Sequence, residues 1–217
     1  MSLKAQIEVQ CPAGCEPFEG EVWSVLHAEQ DPAAKDKLLA GELNLLMCPS
    51  CNRYFIHEQP LVYHDQPREL LAFIFPEYFK EEEERWRTKM REDYAELRRT
   101  AGTAAIDYEP VIYFGLESFR TYLEQEANLD DEVEIMRHLA RSLKLGLYPV
   151  RPSYARSRNI PPLLPCEEAQ GGDARLQLVQ GLQKLLKENE FLASYQRCLS
   201  QLQTGQDAEL PPRVKRA

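Results

Sequence analysis

Short apolar segments separated by polar and turn residues occupy the first third of the chain, and they predict a β-rich N-terminal module. One short helix is expected between Asp31, which can cap it, and Gly41, which can end it. A continuous apolar run at residues 70–75 is typical of a strand buried on both faces. The other predicted strands lie at residues 7–9, 18–27, 43–47, 53–57 and 61–64.

A helical period begins after residue 78, and the strongest predicted helix covers residues 79–99. Its apolar stripe is narrow, so the helix is expected either to bridge two parts of the protein or to lie on its own domain. Residues 111–114 follow as a short strand or an apolar lead-in to a helix. Further helices are predicted at 116–126, 130–144 and 173–203.

Two close pairs of cysteines interrupt the strand pattern, at residues 11–15 and 48–51. Close pairs separated by a few dozen residues have the ligand spacing of a structural zinc site, in which four ligands form a tetrahedron. Each loop is expected to need a left-handed residue near its second cysteine. Gly14 and Asn52 can adopt that conformation at low cost.

The predicted fold is α+β, with a zinc-ribbon-like antiparallel β module followed by a helical C-terminal region. A proline-rich stretch is predicted to be a linker within that region. The predicted segments are a β module at 1–78, a bridging helix at 79–102, a helical domain at 103–148, the linker at 149–172, a C-terminal helix at 173–204 and a disordered tail at 205–217.

Two other interpretations of the cysteines remain open. Residues 1–10 lack the apolar core of a secretory signal, which predicts a cytoplasmic location where structural disulfides are rare. The spacing of Cys48 and Cys51 also fits a redox-active pair, although the residues after it have strand rather than helix character. Cys166 and Cys198 are interpreted as ordinary buried or half-buried residues and not as ligands.

Composition restricts the function further. Hydrophobic residues make up 43% of the 217 residues, enough for a real core, and the formal net charge is −9. A negative surface opposes nucleic-acid and anionic-membrane binding, and the chain has no run of 18 apolar residues. A partner is therefore expected to be a protein, and the C-terminal helices are considered as a site of homodimerisation.

Outside the cysteines, the best candidate for chemistry is the triplet Tyr63, His64 and Asp65. Because a strand alternates its faces, His64 and Asp65 are expected to point apart, and Asp65 also suits the turn that follows. His27 and His57 are predicted to lie at strand ends near the cysteines, as supporting groups or replacement ligands. The sequence contains none of the common catalytic motifs, so an enzyme is only an alternative.

The N-terminal residues resemble the CpXC domain, a bacterial family of uncharacterised function named for its two Cys-Pro-x-Cys motifs. The resemblance covers about residues 7–78, and its first loop here has one extra residue between the cysteines. It implies a zinc site formed by Cys11, Cys15, Cys48 and Cys51. The matching residues are Cys11-Pro12, Val22-Trp23-Ser24, Asp31-Pro32, Gly41-Glu42-Leu43, Cys48-Pro49-Ser50-Cys51 and Leu61-Val62-Tyr63-His64-Asp65.

Taken together, the sequence predicts a cytoplasmic, zinc-containing, non-catalytic module for protein interaction. The first alternative is a thiol–disulfide switch based on the four cysteines. The second is an enzyme with a site around Tyr63, His64 and Asp65.

Overall fold

The structure, a computed structural model, describes residues 2–101, 106–167, 173–204 and 211–214. The chain forms two compact units, Met1–Glu124 and Gln125–Ala217. The strands are β1 (Leu3–Val9), β2 (Phe18–His27), β3 (Leu45–Met47), β4 (Tyr54–Ile56), β5 (Leu61–Asp65), β6 (Leu70–Phe75), β7 (Val111–Phe114), β8 (Gly146–Pro149) and β9 (Leu163–Cys166). The α-helices are α1 (Pro32–Leu39), α2 (Glu83–Ala101), α3 (Leu116–Ser142), α4 (Pro152–Arg158), α5 (Ala174–Glu188) and α6 (Ala193–Thr204).

A five-stranded sheet in the order β1-β2-β5-β6-β7 forms the framework of the first unit. The α+β class is confirmed, but the sheet is mixed and not purely antiparallel as predicted. β2 pairs with β5 in parallel, and β6 pairs with β7 in parallel. The paired strands are not joined by tight turns: α1 and the β3–β4 hairpin lie between β2 and β5, and α2 lies between β6 and β7. Long connections of this kind return the chain to the same end of the sheet, which parallel pairing requires.

Both faces of this sheet are covered, and β6 is the strand that the sequence predicted to be buried on both sides. Leu70, Ala72 and Ile74 belong to a core that includes residues of α1 and α3. The alternate β6 residues pack in a second core with Met90 and Tyr94 of α2. The described part of α2 thus lies on the sheet of its own unit, which is the second of the two roles considered for this helix.

The second unit has its own core, formed by residues of α3, β8, α4, β9, α5 and α6. From residue 116 onward, the described elements differ from the sequence expectation in three places. The helices expected at 116–126 and 130–144 are one continuous helix, and the single helix expected at 173–204 is divided into α5 and α6. The described part of the expected linker contains the end of β8, all of α4 and β9.

One proline of that segment has a clear structural role. Pro152 begins α4, where the missing N–H leaves no intrahelical bond unmade. Of the expected tail, only residues 211–214 are described, and Arg213 forms a bridge with Val150.

None of the helices in the described residues combines the length and the apolar character that crossing a bilayer requires.

Candidate metal centre

Four thiols meet where the first sheet and a small hairpin come together. Cys11 and Cys15 lie in the loop between β1 and β2, and Cys48 and Cys51 lie in the loop between β3 and β4. Their sulfur atoms all lie within 4.8 Å of one another. Cys11 and Cys48 are buried, whereas Cys15 and Cys51 are partly exposed, and all four are free thiols.

Both loops turn through the left-handed residues expected from the sequence. Gly14 has φ +78° and donates its N–H to the carbonyl of Cys11 at 2.9 Å. Asn52 has φ 56° and donates to the carbonyl of Cys48 at 2.9 Å. The N–H of Cys48 is in turn bonded to the carbonyl of Arg53 at 2.9 Å, which closes the second loop as the end of the hairpin.

The hairpin is held against the sheet by its inward side chains. Phe55 packs edge-on against Phe18 of β2, with ring centroids 6.3 Å apart. Gly20 allows a close approach here, because a Cβ at this position would lie 3.0 Å from Val9 and 3.1 Å from Leu46. This contact between β2 and the hairpin brings the two cysteine loops to one point.

Hydrogen bonding divides the thiols into donors and acceptors. Burial opposes ionisation of Cys48, but the N–H groups of Cys51 and Ser50 point at its sulfur, and together with the neighbouring thiols they lower its pKa to about 6. The pKa of Cys15 rises to about 12 because its thiol is hydrogen-bonded to Cys51 and Cys48. Cys11 accepts from the N–H of Ala13 at 3.4 Å.

The dimensions of the cluster fit a thiolate-bound metal. A tetrahedral ion with metal–sulfur bonds of about 2.3 Å has sulfur atoms about 3.8 Å apart. The sulfurs of Cys11 and Cys51 are 3.8 Å apart. Tetrahedral four-sulfur sites hold zinc or iron–sulfur centres, and backbone N–H groups directed at the sulfurs offset the negative charge of the thiolates.

The two histidines predicted to support this site lie elsewhere. His27 is at the last position of β2, nine residues from Phe18, which is about 30 Å along an extended strand. His57 follows β4, and its N–H bonds to the carbonyl of Asn44 at the end of the hairpin remote from the cysteine loop. Within the described residues, the group of three or more potential metal ligands that the structure brings together consists of Cys11, Cys15, Cys48 and Cys51.

The side chains of the predicted triplet Tyr63, His64 and Asp65 point to opposite faces of β5, as the alternation of a strand requires. Tyr63 donates to the carboxylate of Asp65 at 3.3 Å, and Lys35 lies 3.4 Å from the same carboxylate. Both Tyr63 and Asp65 are buried. His64 lies on the opposite face, where its Nδ1 is 3.2 Å from Nδ1 of His27. The triplet therefore contains no direct His–carboxylate pair.

Two residues at these sites were missed by the sequence reasoning. Asn44 is buried, accepts from the N–H of Trp23 at 2.7 Å and donates to its carbonyl at 3.3 Å, which ties the start of the hairpin to β2. Tyr108 has its hydroxyl 2.7 Å from Nε2 of His64. Asparagine is one of the few residue types that readily adopt φ near +60°, as Asn44 does, so its identity was the available signal in the sequence. Tyr108 had no local signal.

The fold and this site together define an α+β protein with a cysteine-only centre of the kind that binds a metal through thiolates. The CpXC protein family matches residues 9–137, which is more than half of the chain, and the chain belongs to this family. The match extends well beyond the region 7–78 that the sequence motifs suggested and includes α2, β7 and most of α3. Comparison with curated proteins and with solved structures gives no match.

Proposed function

We propose that the four cysteines bind one zinc ion, that this ion is structural, and that the protein acts by binding another protein. The observation that carries the proposal is the convergence of four thiols from two separate loops within 4.8 Å. A structural zinc site is closed by four protein ligands, whereas a catalytic one usually has three and a water molecule. Four cysteines supply a complete shell, so the ion contributes stability instead of a reactive position.

The expected contribution to folding is large. Structural zinc in finger peptides has an apparent binding free energy of about 10–16 kcal/mol at neutral pH, which is coupled to folding. Without the ion, four thiols would be held together mainly by weak sulfur hydrogen bonds. The loops at residues 11–15 and 48–51 depend on each other for a complete site, so removal of one ligand should weaken both.

The test is elemental analysis of the untagged protein together with thermal unfolding of Cys48→Ser. We expect one zinc per chain in the wild type, with lower zinc content and lower stability of the first unit in the variant. Cys166→Ser is the matched control, since it removes a thiol from the second unit and should leave the zinc content unchanged. Full zinc and unchanged unfolding in Cys48→Ser would refute a structural zinc. Disulfides and no metal would favour the redox alternative.

The outer face of the hairpin supports the interaction role. Leu45, Met47, Tyr54 and Ile56 are between 43% and 68% exposed. They form two cross-strand pairs, Leu45 with Ile56 and Met47 with Tyr54, and all four lie on the same face. Apolar side chains gathered in one patch, unlike single exposed ones, mark interaction surfaces.

Size and charge indicate the kind of partner. A stable interface needs about 20–30 residues on each side, so this patch alone is too small for a lasting dimer of two copies. The net charge of −9 also opposes association of two identical chains. The proposed partner is a different protein, bound transiently, whose contact surface has an apolar centre and a basic rim.

A photoreactive phenylalanine analogue at Tyr54, used in the native host, tests this surface. The same analogue at Tyr78, which is 65% exposed but outside the hairpin, is the matched control. We expect one protein to be captured from Tyr54 only, and Met47→Lys to weaken binding of that purified protein by about tenfold or more. Capture of a second copy of the chain, or equal capture from Tyr78, would contradict the proposal.

A further inference from the structure

A pair of histidines lies on the first sheet, remote from the cysteines. His27 and His64 occupy directly paired positions of the parallel strands β2 and β5, so their side chains leave the sheet on the same face. Their Nδ1 atoms are 3.2 Å apart, and the two ring planes are at 85° to each other. Both residues are only partly buried, so neither histidine is enclosed in the core of the unit.

We propose that His27 and His64 form a second binding site for a divalent transition-metal ion such as Zn²⁺. Two imidazole nitrogens bound to one tetrahedral zinc at about 2.0–2.1 Å lie about 3.3–3.4 Å apart. The observed separation of the Nδ1 atoms, 3.2 Å, is close to this distance. The pair therefore needs only a small movement of the rings to bind an ion, and water molecules complete the coordination.

Tyr108 prepares His64 for this role. Its hydroxyl is 2.7 Å from Nε2 of His64 and occupies that nitrogen. When Nε2 carries the proton and donates it to the hydroxyl, Nδ1 has a free lone pair directed at His27. Metal-binding histidines are commonly oriented by such a bond at the second ring nitrogen. Tyr108 is itself fixed, because its carbonyl accepts a hydrogen bond from the hydroxyl of Tyr94 at 2.7 Å.

Burial supports the same assignment. It lowers the pKa of His64 and of His27 below the ordinary value for histidine, and the neighbouring ring lowers that of His64 further. A lowered pKa favours the neutral ring, which is the form that binds metals. Imidazole ligands favour Zn²⁺, Cu²⁺ and Ni²⁺ over Mg²⁺ and Ca²⁺, so the site should discriminate between these two groups of ions.

The test is a calorimetric titration of the zinc-loaded protein with Zn²⁺, after elemental analysis has established how much metal the protein already holds. We expect one further ion to bind to the wild type. His27→Gln and His64→Gln should each weaken this step by about tenfold or more, and Tyr108→Phe by about tenfold. His138→Gln is the matched control, since it changes a histidine of the second unit and should bind as the wild type does.

Nuclear magnetic resonance of the histidine rings in the wild-type protein keeps the test independent of whether the variants fold. Zn²⁺ should shift the signals of His27 and His64 and leave those of His57 and His138 in place. The proposal is overturned if no further ion binds, if binding persists in His64→Gln, or if His138→Gln loses it equally. These results do not depend on the cysteine site, whose metal content is measured separately.

Discussion

At the scale of single residues, the direction of a side chain determines which other residues it contacts. Asp65 and His64 are neighbours in the chain, yet Asp65 lies near Lys35 inside one core while His64 contacts His27 on the other face. The strand period predicted this separation from the sequence alone. The partners could not be predicted, because Lys35 and His27 are brought there by the topology of the sheet and not by any local pattern.

Tyr195 is the residue whose ionisation should be coupled most strongly to the stability of the second unit. It is fully buried in α6, and its hydroxyl donates to the carbonyl of Leu163 at 3.1 Å. Burial raises its pKa far above the ordinary value, and the nearby carboxylate of Glu132 acts in the same direction. The phenolate form is therefore available only to the unfolded chain.

This gives a prediction for alkaline pH. The folded-state pKa of Tyr195 is raised, so its contribution is fully present below the unfolded value of about 10 and is lost as pH rises above it. Tyr195→Phe should make the stability of the second unit less dependent on pH above about 10, measured by urea unfolding over a pH series. The variant also lacks the hydrogen bond to Leu163, which should lower the free energy of unfolding by about 1 kcal/mol at neutral pH.

Tyr54→Phe is the control for this series, because that tyrosine is 68% exposed and belongs to the first unit. Tyr54→Phe should leave the dependence of the second unit's stability on pH above about 10 the same as in the wild type. Equal slopes for the wild type and Tyr195→Phe would contradict the assignment of the alkaline loss to Tyr195.

At the scale of elements, local signals located strands better than they located helix ends. The predicted bounds of β2, β6 and β7 agree with the structure, because alternation or a short apolar run ends at a clear break. The division between α5 and α6 was missed, since leucines at a spacing near 3.5 continue across it. Asn189 caps the end of α5, and its side chain accepts a hydrogen bond from the N–H of Phe191 at 3.0 Å.

The contact between α5 and β9 depends on a glycine. A Cβ at Gly181 would lie 2.6 Å from the carbonyl oxygen of Pro165 and 2.7 Å from the Cα of Cys166. These are backbone atoms and cannot rotate away, so the helix or the strand would have to move. A helical propensity scale alone gives the opposite expectation, since alanine is favoured over glycine by about 1 kcal/mol within a helix.

We therefore predict that Gly181→Ala destabilises the second unit by about 1–3 kcal/mol, the range found for overpacked cores, in spite of the gain in helix propensity. Chemical denaturation followed by circular dichroism measures the change. Gln183→Ala, at an exposed position of the same helix, is the control and should change stability by no more than about 0.5 kcal/mol. A stabilised Gly181→Ala would show that α5 and β9 are not in close contact.

At the scale of the whole molecule, the candidate metal site was the most predictable feature and the mixed sheet the least. Cysteine spacing is a local property, and the two loops carry their own turn residues, Gly14 and Asn52. The order of strands depends on which strands pair, and the parallel pairing of β2 with β5 spans more than 30 residues of intervening chain. No periodicity within a strand encodes that choice, so the sequence favoured the simpler antiparallel arrangement.

The division into two units with separate cores leads to a prediction for metal removal. If zinc stabilises only the unit that contains the cysteines, a chelator should increase amide hydrogen exchange in β1, β2 and the β3–β4 hairpin. An ion at only 100 times its dissociation constant already contributes about 2.7 kcal/mol, and a structural zinc is expected to contribute more, so protection there should fall by about 100-fold or more. The core of the second unit, around Leu182 and Tyr195, should keep its protection.

Cys48→Ser provides the internal check on this experiment, because it removes a ligand without any chelator. The variant should show the exchange pattern of the chelated wild type, and adding the chelator should change it little further. Loss of protection in both units together would mean that the metal stabilises the chain as one cooperative unit. Unchanged exchange in the first unit would mean that the four thiols hold that region together without a metal.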